Sequence, residues 1–235
     1  MKTTLHTADS RGAADFGWLK SRHTFSFGRY FHPDRVQFGA LRVLNDDRIA
    51  GGSGFGTHPH DNMEIVSIPL AGAIEHKDST GHQEVIHPGE VQIMSAGTGL
   101  THSEYNHFKD QETHFLQIWI FPKVRDISPR YEQKMFDKEA RKNQWQAVVS
   151  PEHEGAIRIN QDAVFYLSDL DQNRTLNFEP HFKGHGVYAF LIEGEIEIAG
   201  VTLRNRDGLG IENFDNLEVK ALSNSTLLLI EVPTY

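Results

Sequence analysis

The chain has 235 residues, of which 38% are hydrophobic and 23% charged, with a formal net charge of −9. That length suffices for one large β domain or two small ones, and the acidic balance argues against direct nucleic-acid binding, which depends on neutralising phosphates. Cysteine is absent, which excludes disulfides, thiolate nucleophiles and thiolate metal sites together.

In chain order, residues 1–22 carry small and polar side chains and read as an arm leading to Trp18. No apolar run approaches the roughly 20 residues of a membrane span, and Met1–His6 lacks the apolar core of a signal peptide. The expected location is cytoplasmic, with no membrane partner. Thr24-Phe25-Ser26-Phe27 alternates polar and aromatic residues, a strand signal with Phe25 and Phe27 buried. His32-Pro33-Asp34 is a turn, and Leu41-Arg42-Val43-Leu44-Asn45-Asp46-Asp47 gives the next strand. The glycines of 51–56 lack the Lys-Ser/Thr ending and following helix of a phosphate loop, so they read as backbone passing close to a barrel mouth.

The segment Gly56-Thr57-His58-Pro59-His60-Asp61-Asn62-Met63-Glu64 carries the first chemistry. In an extended strand His58 and His60 point the same way, about 6.5 Å apart along the strand, so two imidazoles can converge on one ion. Glu64 lies in the same phase. Further on, Ile65–Leu70, Ala73–His76, Val91–Met94 and Gln117–Phe121 are short apolar stretches broken by turns at Ala71-Gly72, Asp78–His82 and Pro88-Gly89. This spacing indicates a sandwich or barrel. His76, His82 and His87 fall at turns or strand ends and are read as non-ligands. After these turns, Gly99-Leu100-Thr101-His102-Ser103-Glu104-Tyr105-Asn106 repeats the i, i+2 arrangement with His102 and Glu104. Three imidazoles and one carboxylate thus form a nitrogen–oxygen donor set for one divalent transition metal: Fe, Mn, Co, Ni, Cu or Zn.

These segments resemble the two motifs of the cupin superfamily. His58, His60 and Glu64 fit the first, with Gly72 one residue late; Gly99, His102 and Asn106 fit the second, with Gly97 where the family usually has Pro. The match is closer with the pirin family, a two-barrel branch of the cupins. It runs through Gly17-Trp18-Leu19, Arg22–Phe27, Ala40–Asp47, Met94–Gly99 and His102-Ser103-Glu104-Tyr105-Asn106, dense over residues 11–131 and thin afterwards. The resemblance implies an all-β fold of two tandem cupin-type (double-stranded β-helix, jelly-roll) barrels.

Pro122, Pro129 and the charged run Asp137–Lys142 interrupt the strands and read as a solvated linker with one helical turn. The expected division is a metal-binding barrel over 1–130, a linker over 131–145, and a second barrel without metal ligands over 146–235. Leu191–Ile198 parallels Pro69–His76 around Gly194 and Gly72. Gly72 lies 14 and 12 residues after His58 and His60, and the same offsets before Gly194 fall on Pro180 and Phe182, which bind no metal. One ion per chain is expected.

The i, i+2 phase admits either Glu64 or Glu104 as the fourth ligand. Generic cupins use the Glu of the first motif, here Glu64; resemblance to pirins implies Glu104, leaving Glu64 as a support for a ligand imidazole or a buried hydrogen-bonded carboxylate. The pirin resemblance further implies a quercetin 2,3-dioxygenase that cleaves an aromatic flavonol substrate with O₂ and releases carbon monoxide, with Glu104 taking the 3-hydroxyl proton. Resemblance to eukaryotic pirins implies an alternative, a metal-dependent regulator that binds a protein partner.

Overall fold

The computed structural model describes residues 1–234, and every described strand pair is antiparallel. Tyr235, the last residue of the expected second barrel, lies outside the described residues. The strands form two cupin-type barrels, each a large sheet facing a four-stranded one. In the first, a seven-stranded sheet runs Arg130–Met135, Glu90–Ser95, Glu64–Ala71, Thr113–Ile120, Leu41–Ile49, Leu19–His23, Gly12–Asp15. Its facing sheet is Gly54–His60, Leu100–Asn106, Ile74–Asp78, Gln83–Ile86. The second barrel repeats the plan with a six-stranded sheet and the four strands Thr175–Phe178, Leu217–Ala221, Glu195–Ile198 and Val201–Arg204.

Period-two alternation explains how both faces of the large sheets are used. Val66, Ile68, Leu116, Ile118 and Ile120 face the other barrel and join Phe165, Leu167, Tyr188, Phe190, Leu228 and Ile230 in one buried cluster. Their strand neighbours Ser67, Gln117 and Trp119 therefore face the interior of the first barrel. An ion cluster pins the same junction: Asp46 lies 2.5 Å from His114 Nε2, 3.3 Å from Arg11 Nη2 and 3.5 Å from Arg206 Nη1.

Burial raises the Asp46 carboxyl, but the hydrogen bond from His114 and the charges of Arg206 and Arg11 outweigh it and hold it down at about 2. A depressed carboxyl adds stability above its unfolded value and loses it as pH falls through its folded value. Asp46→Asn is thus expected to lose about 3–5 kcal/mol at neutral pH, because the two guanidinium groups are left uncompensated. The gap to wild type should narrow by on the order of 2 kcal/mol between pH 4 and pH 2 in urea melts.

Pairing crosses the expected boundaries at both ends. Arg130–Met135 pairs with Glu90–Ser95, so the hydrogen-bonded sheet of the first barrel runs through Met135. Lys2–His6 pairs with Gly208–Glu212 of the second barrel, where His6 Nδ1 meets Tyr188 Oη at 2.8 Å. A 3-10 turn at Glu139–Arg141 occupies the charged run. The strand expected at Thr24–Phe27 begins earlier, at Leu19, and ends at His23. It ends there because Ser26 Oγ donates to the carbonyl of His32 and accepts from its amide, folding the chain into a loop.

The second barrel's counterparts to the first barrel's histidines are apolar. Leu217 pairs with Phe178 as His102 pairs with His58, so Phe178 and Pro180 take the histidine positions rather than Pro180 and Phe182. The two-residue shift arises because five residues, 181–185, separate Pro180 from the next strand, where three, 61–63, separate His60 from its own.

Gly97 initiates the turn that delivers the His102 strand. Its φ is +50°, and a Cβ there falls 2.0 Å from the Ile127 carbonyl oxygen. Proline, fixed near φ −65°, has no access to this conformation. Gly97→Ala is expected to cost about 1–3 kcal/mol, read as a melting temperature lowered by several degrees at roughly 2–4 °C per kcal/mol.

Candidate metal centre

Three imidazoles meet on the inner face of the four-stranded sheet of the first barrel. His58 and His60 alternate onto one face of Gly54–His60, and His102 sits directly opposite His58 in the neighbouring strand. Their ligating nitrogens all lie within 4.8 Å of one another. His58 Nδ1 lies 2.8 Å from the Gly56 carbonyl oxygen, to which it donates, so its Nε2 carries the lone pair. That Nε2 is 3.0 Å from His102 Nε2. Two nitrogens at about 2.1 Å from one ion and at right angles around it are separated by about 3.0 Å. The spacing therefore fits an ion between them.

Protonation favours the same reading. Burial, then the neighbouring imidazoles, holds His60 down at about 4 and His102 at about 3, so both are neutral at pH 7. Neutral imidazole is the ligating form.

The two carboxylates part company. Met63 and Asp61 flank Asn62, whose φ is +45°, and this turn separates the His58/His60 strand from the next. The alternation is reset, and Glu64 points toward the second barrel. It accepts hydrogen bonds from Ser95 Oγ at 2.7 Å and from the Asn160 backbone amide at 3.1 Å, and burial raises its carboxyl. Of the two roles open to it in sequence, that of a buried hydrogen-bonded carboxylate is the one its contacts describe. Glu104 instead points into the first barrel, 1% exposed. Ser67 Oγ donates to its Oε1 at 3.2 Å and Gln117 Nε2 to its Oε2 at 2.6 Å. Each oxygen keeps a further lone pair. Glu104 clusters within 4.8 Å with His102 and His76, and is not in the cluster of all three site imidazoles.

His76, read from sequence as a strand-end residue and not a ligand, is a fully buried strand residue beside His102, ring centroids 5.3 Å apart. Its Nε2 lies 3.1 Å from Asp78 Oδ2, and Tyr131 packs on its ring at 4.7 Å. The His76-x-Asp78 spacing is the signal that marks it in the sequence, because alternation places both on one face of the strand. His82 and His87 are not in either cluster.

A cavity of about 690 Å³ opens on His58 and His60 and is walled by Phe27, Phe55, Trp119 and Leu19. Trp119 stands edge-on to both His60, at 5.0 Å, and Phe27, at 5.4 Å. The volume lies within the range of small-molecule sites, roughly 300–1,000 Å³. Asp47 also lines it, with Ser21 Oγ donating to its carboxylate, and burial pushes its carboxyl up to about 7.

Comparison with known proteins agrees over both barrels. Residues 5–120 match the family model described as Pirin, and residues 147–232 match that described as Quercetinase C-terminal cupin domain. A quercetin 2,3-dioxygenase of Escherichia coli strain K12 is 43% identical over 234 residues, 97% of this chain and 98% of that protein. A pirin-like protein of Caulobacter vibrioides is 38% identical over 95% of this chain and 96% of its own length. The crystal structure of a bacterial pirin from Escherichia coli in complex with nickel(II) superposes with a TM-score of 0.94 at 40% identity, covering 100% of both chains.

Proposed function

This chain belongs to the pirin family, and we propose that it is a metal-dependent dioxygenase cleaving a flavonol such as quercetin with O₂. The observation that carries the reading is that His58 and His60, two of the three clustered imidazoles, open onto an aromatic-walled cavity. His58, His60 and His102 hold one divalent transition metal through neutral nitrogens, and Glu104 supplies the carboxylate of the set. When bound, the ion supplies Lewis acidity toward a flavonol oxygen and open positions for the reactants.

The remaining work falls to the chain's own side chains. Phe27, Phe55 and Trp119 wall a slot for a flat aromatic ligand and keep water from it. Glu104 accepts the proton of the flavonol 3-hydroxyl, for which a donor–acceptor distance of about 2.6–3.2 Å is needed. Ser67 and Gln117 hold that carboxylate in place by donating to one oxygen each, which leaves one lone pair for the ion and one, on the other oxygen, for the proton.

The test is an aerobic assay on metal-reconstituted protein, following loss of the flavonol absorption, with a chelated sample as control. Turnover should require the metal. No turnover with Fe, Mn, Co, Ni or Cu would overturn the enzymatic reading and favour the metal-dependent protein-partner reading.

A further inference from the structure

One face of the first barrel carries a row of uncharged polar residues across adjacent strands. Gln117 pairs in register with Asn45 on one side and Ser67 on the other, and Asn45 pairs with His23. All four are buried, with Ser67 0%, Asn45 1%, His23 5% and Gln117 7% exposed. The inner half of the row has a task already described, since Ser67 and Gln117 hold Glu104. The outer half has none in the fold: Asn45 Oδ1 and His23 Nδ1 are buried without a hydrogen-bond partner among the described residues. Leaving buried polar groups unpaired costs about 1–3 kcal/mol each, so such groups mark where another molecule completes the set.

Both residues line the same cavity as His58 and His60. Strands in a sheet are about 4.8 Å apart, so His23 lies roughly 10 Å along the row from Gln117. An aromatic wall bridges that interval: His60 to Trp119 at 5.0 Å, Trp119 to Phe27 at 5.4 Å, and Phe27 to His23 at 5.3 Å between centroids. A flavonol seated with its heterocycle beside His60 would lay its pendant ring along this wall. Burial, reinforced by the Arg11 charge, lowers the His23 pKa, which favours the neutral ring with one donor and one acceptor nitrogen. The Asn45 amide likewise offers both donor and acceptor groups. Phenolic hydroxyls need this combination.

We propose that Asn45 and His23 form a hydroxyl-reading subsite that selects flavonols whose pendant ring carries phenolic hydroxyls. This deepens the dioxygenase reading and rests on it for the identity of the ligand. The subsite acts on binding, so equilibrium binding separates it from the chemistry.

The full metal-reconstituted chain is titrated anaerobically with quercetin and with the flavonol lacking both pendant-ring hydroxyls, following quenching of tryptophan fluorescence. Wild type should bind quercetin roughly 10- to 100-fold more tightly. Asn45→Leu and His23→Phe should each lower that ratio by roughly tenfold. The ratio is taken within one preparation, so partial misfolding of a variant does not alter it, and the wild-type ratio stands without either variant. Wild type binding the two flavonols within about twofold of each other, or both variants keeping the wild-type ratio, overturns the subsite. Failure of aerobic turnover with the binding ratio intact overturns the dioxygenase reading alone. Absence of binding by either flavonol overturns both.

Discussion

His102→Ala is expected to strip the ion from the protein and abolish turnover while the β signal in circular dichroism survives. His102 lies in the interior of the four-stranded sheet, opposite His58 and beside His76, with its Nε2 3.0 Å from His58 Nε2. Alanine preserves the backbone pairing, since the strand's hydrogen bonds are made by the main chain, but removes one of three imidazoles. Two remain on a single strand, and a two-imidazole site lacks the third nitrogen that closes the cluster. Elemental analysis should find bound metal falling from about one ion per chain to a small fraction of that, since loss of even an outer support for a ligand costs about 10–100-fold in affinity. Undiminished metal in this variant would sink the site.

Glu104→Gln carries the second large effect. The substitution nearly conserves volume and leaves hydrogen bonds available: the amide oxygen accepts from Gln117 Nε2 and the amide nitrogen donates to Ser67 Oγ, which is donor and acceptor alike. Fold and cavity therefore persist, while the negative charge and the proton acceptor are lost. Turnover per bound metal should fall about 10²–10⁴-fold, the usual worth of a positioned base. Glu64→Gln is the matched control. Glu64 receives Ser95 and Asn160 on one oxygen and faces the second barrel, so an amide oxygen replaces it there and turnover should stay within about tenfold of wild type, at or below the weakest effect of an outer support. A Glu64→Gln variant that loses metal while Glu104→Gln stays active would reverse the assignment of the two carboxylates.

The three histidines were legible because alternation within one unbroken strand is a local rule. His58 and His60 share a strand, and His102 and Glu104 share another. The same rule misleads at Glu64, where it is extended across the turn at Asn62; a strand count does not survive a residue at positive φ. Where each carboxylate points is therefore a property of the fold. Counting failed by two residues in the second barrel for a similar reason, a longer loop between paired strands. His23, Asn45 and Gln117 are invisible as a group because only register across three strands joins them. No periodicity in a sequence encodes that register. The N-terminal strand shows the same limit, since nothing in Lys2–His6 announces a partner at Gly208–Glu212. Gly97 is the opposite case. Its departure from proline follows directly from a backbone angle of +50°, so the residue type reports the conformation.

If the three-imidazole cluster supports ring cleavage of a flavonol by O₂, carbon monoxide leaves with the cleaved product. Metal-reconstituted wild type is given quercetin in air, and O₂ consumed and carbon monoxide released are measured together. Both are expected in equal amounts, each lost on chelation and each lost in His102→Ala. Flavonol loss with O₂ uptake but without carbon monoxide, or carbon monoxide formed equally by chelated protein, would contradict ring cleavage at this cluster.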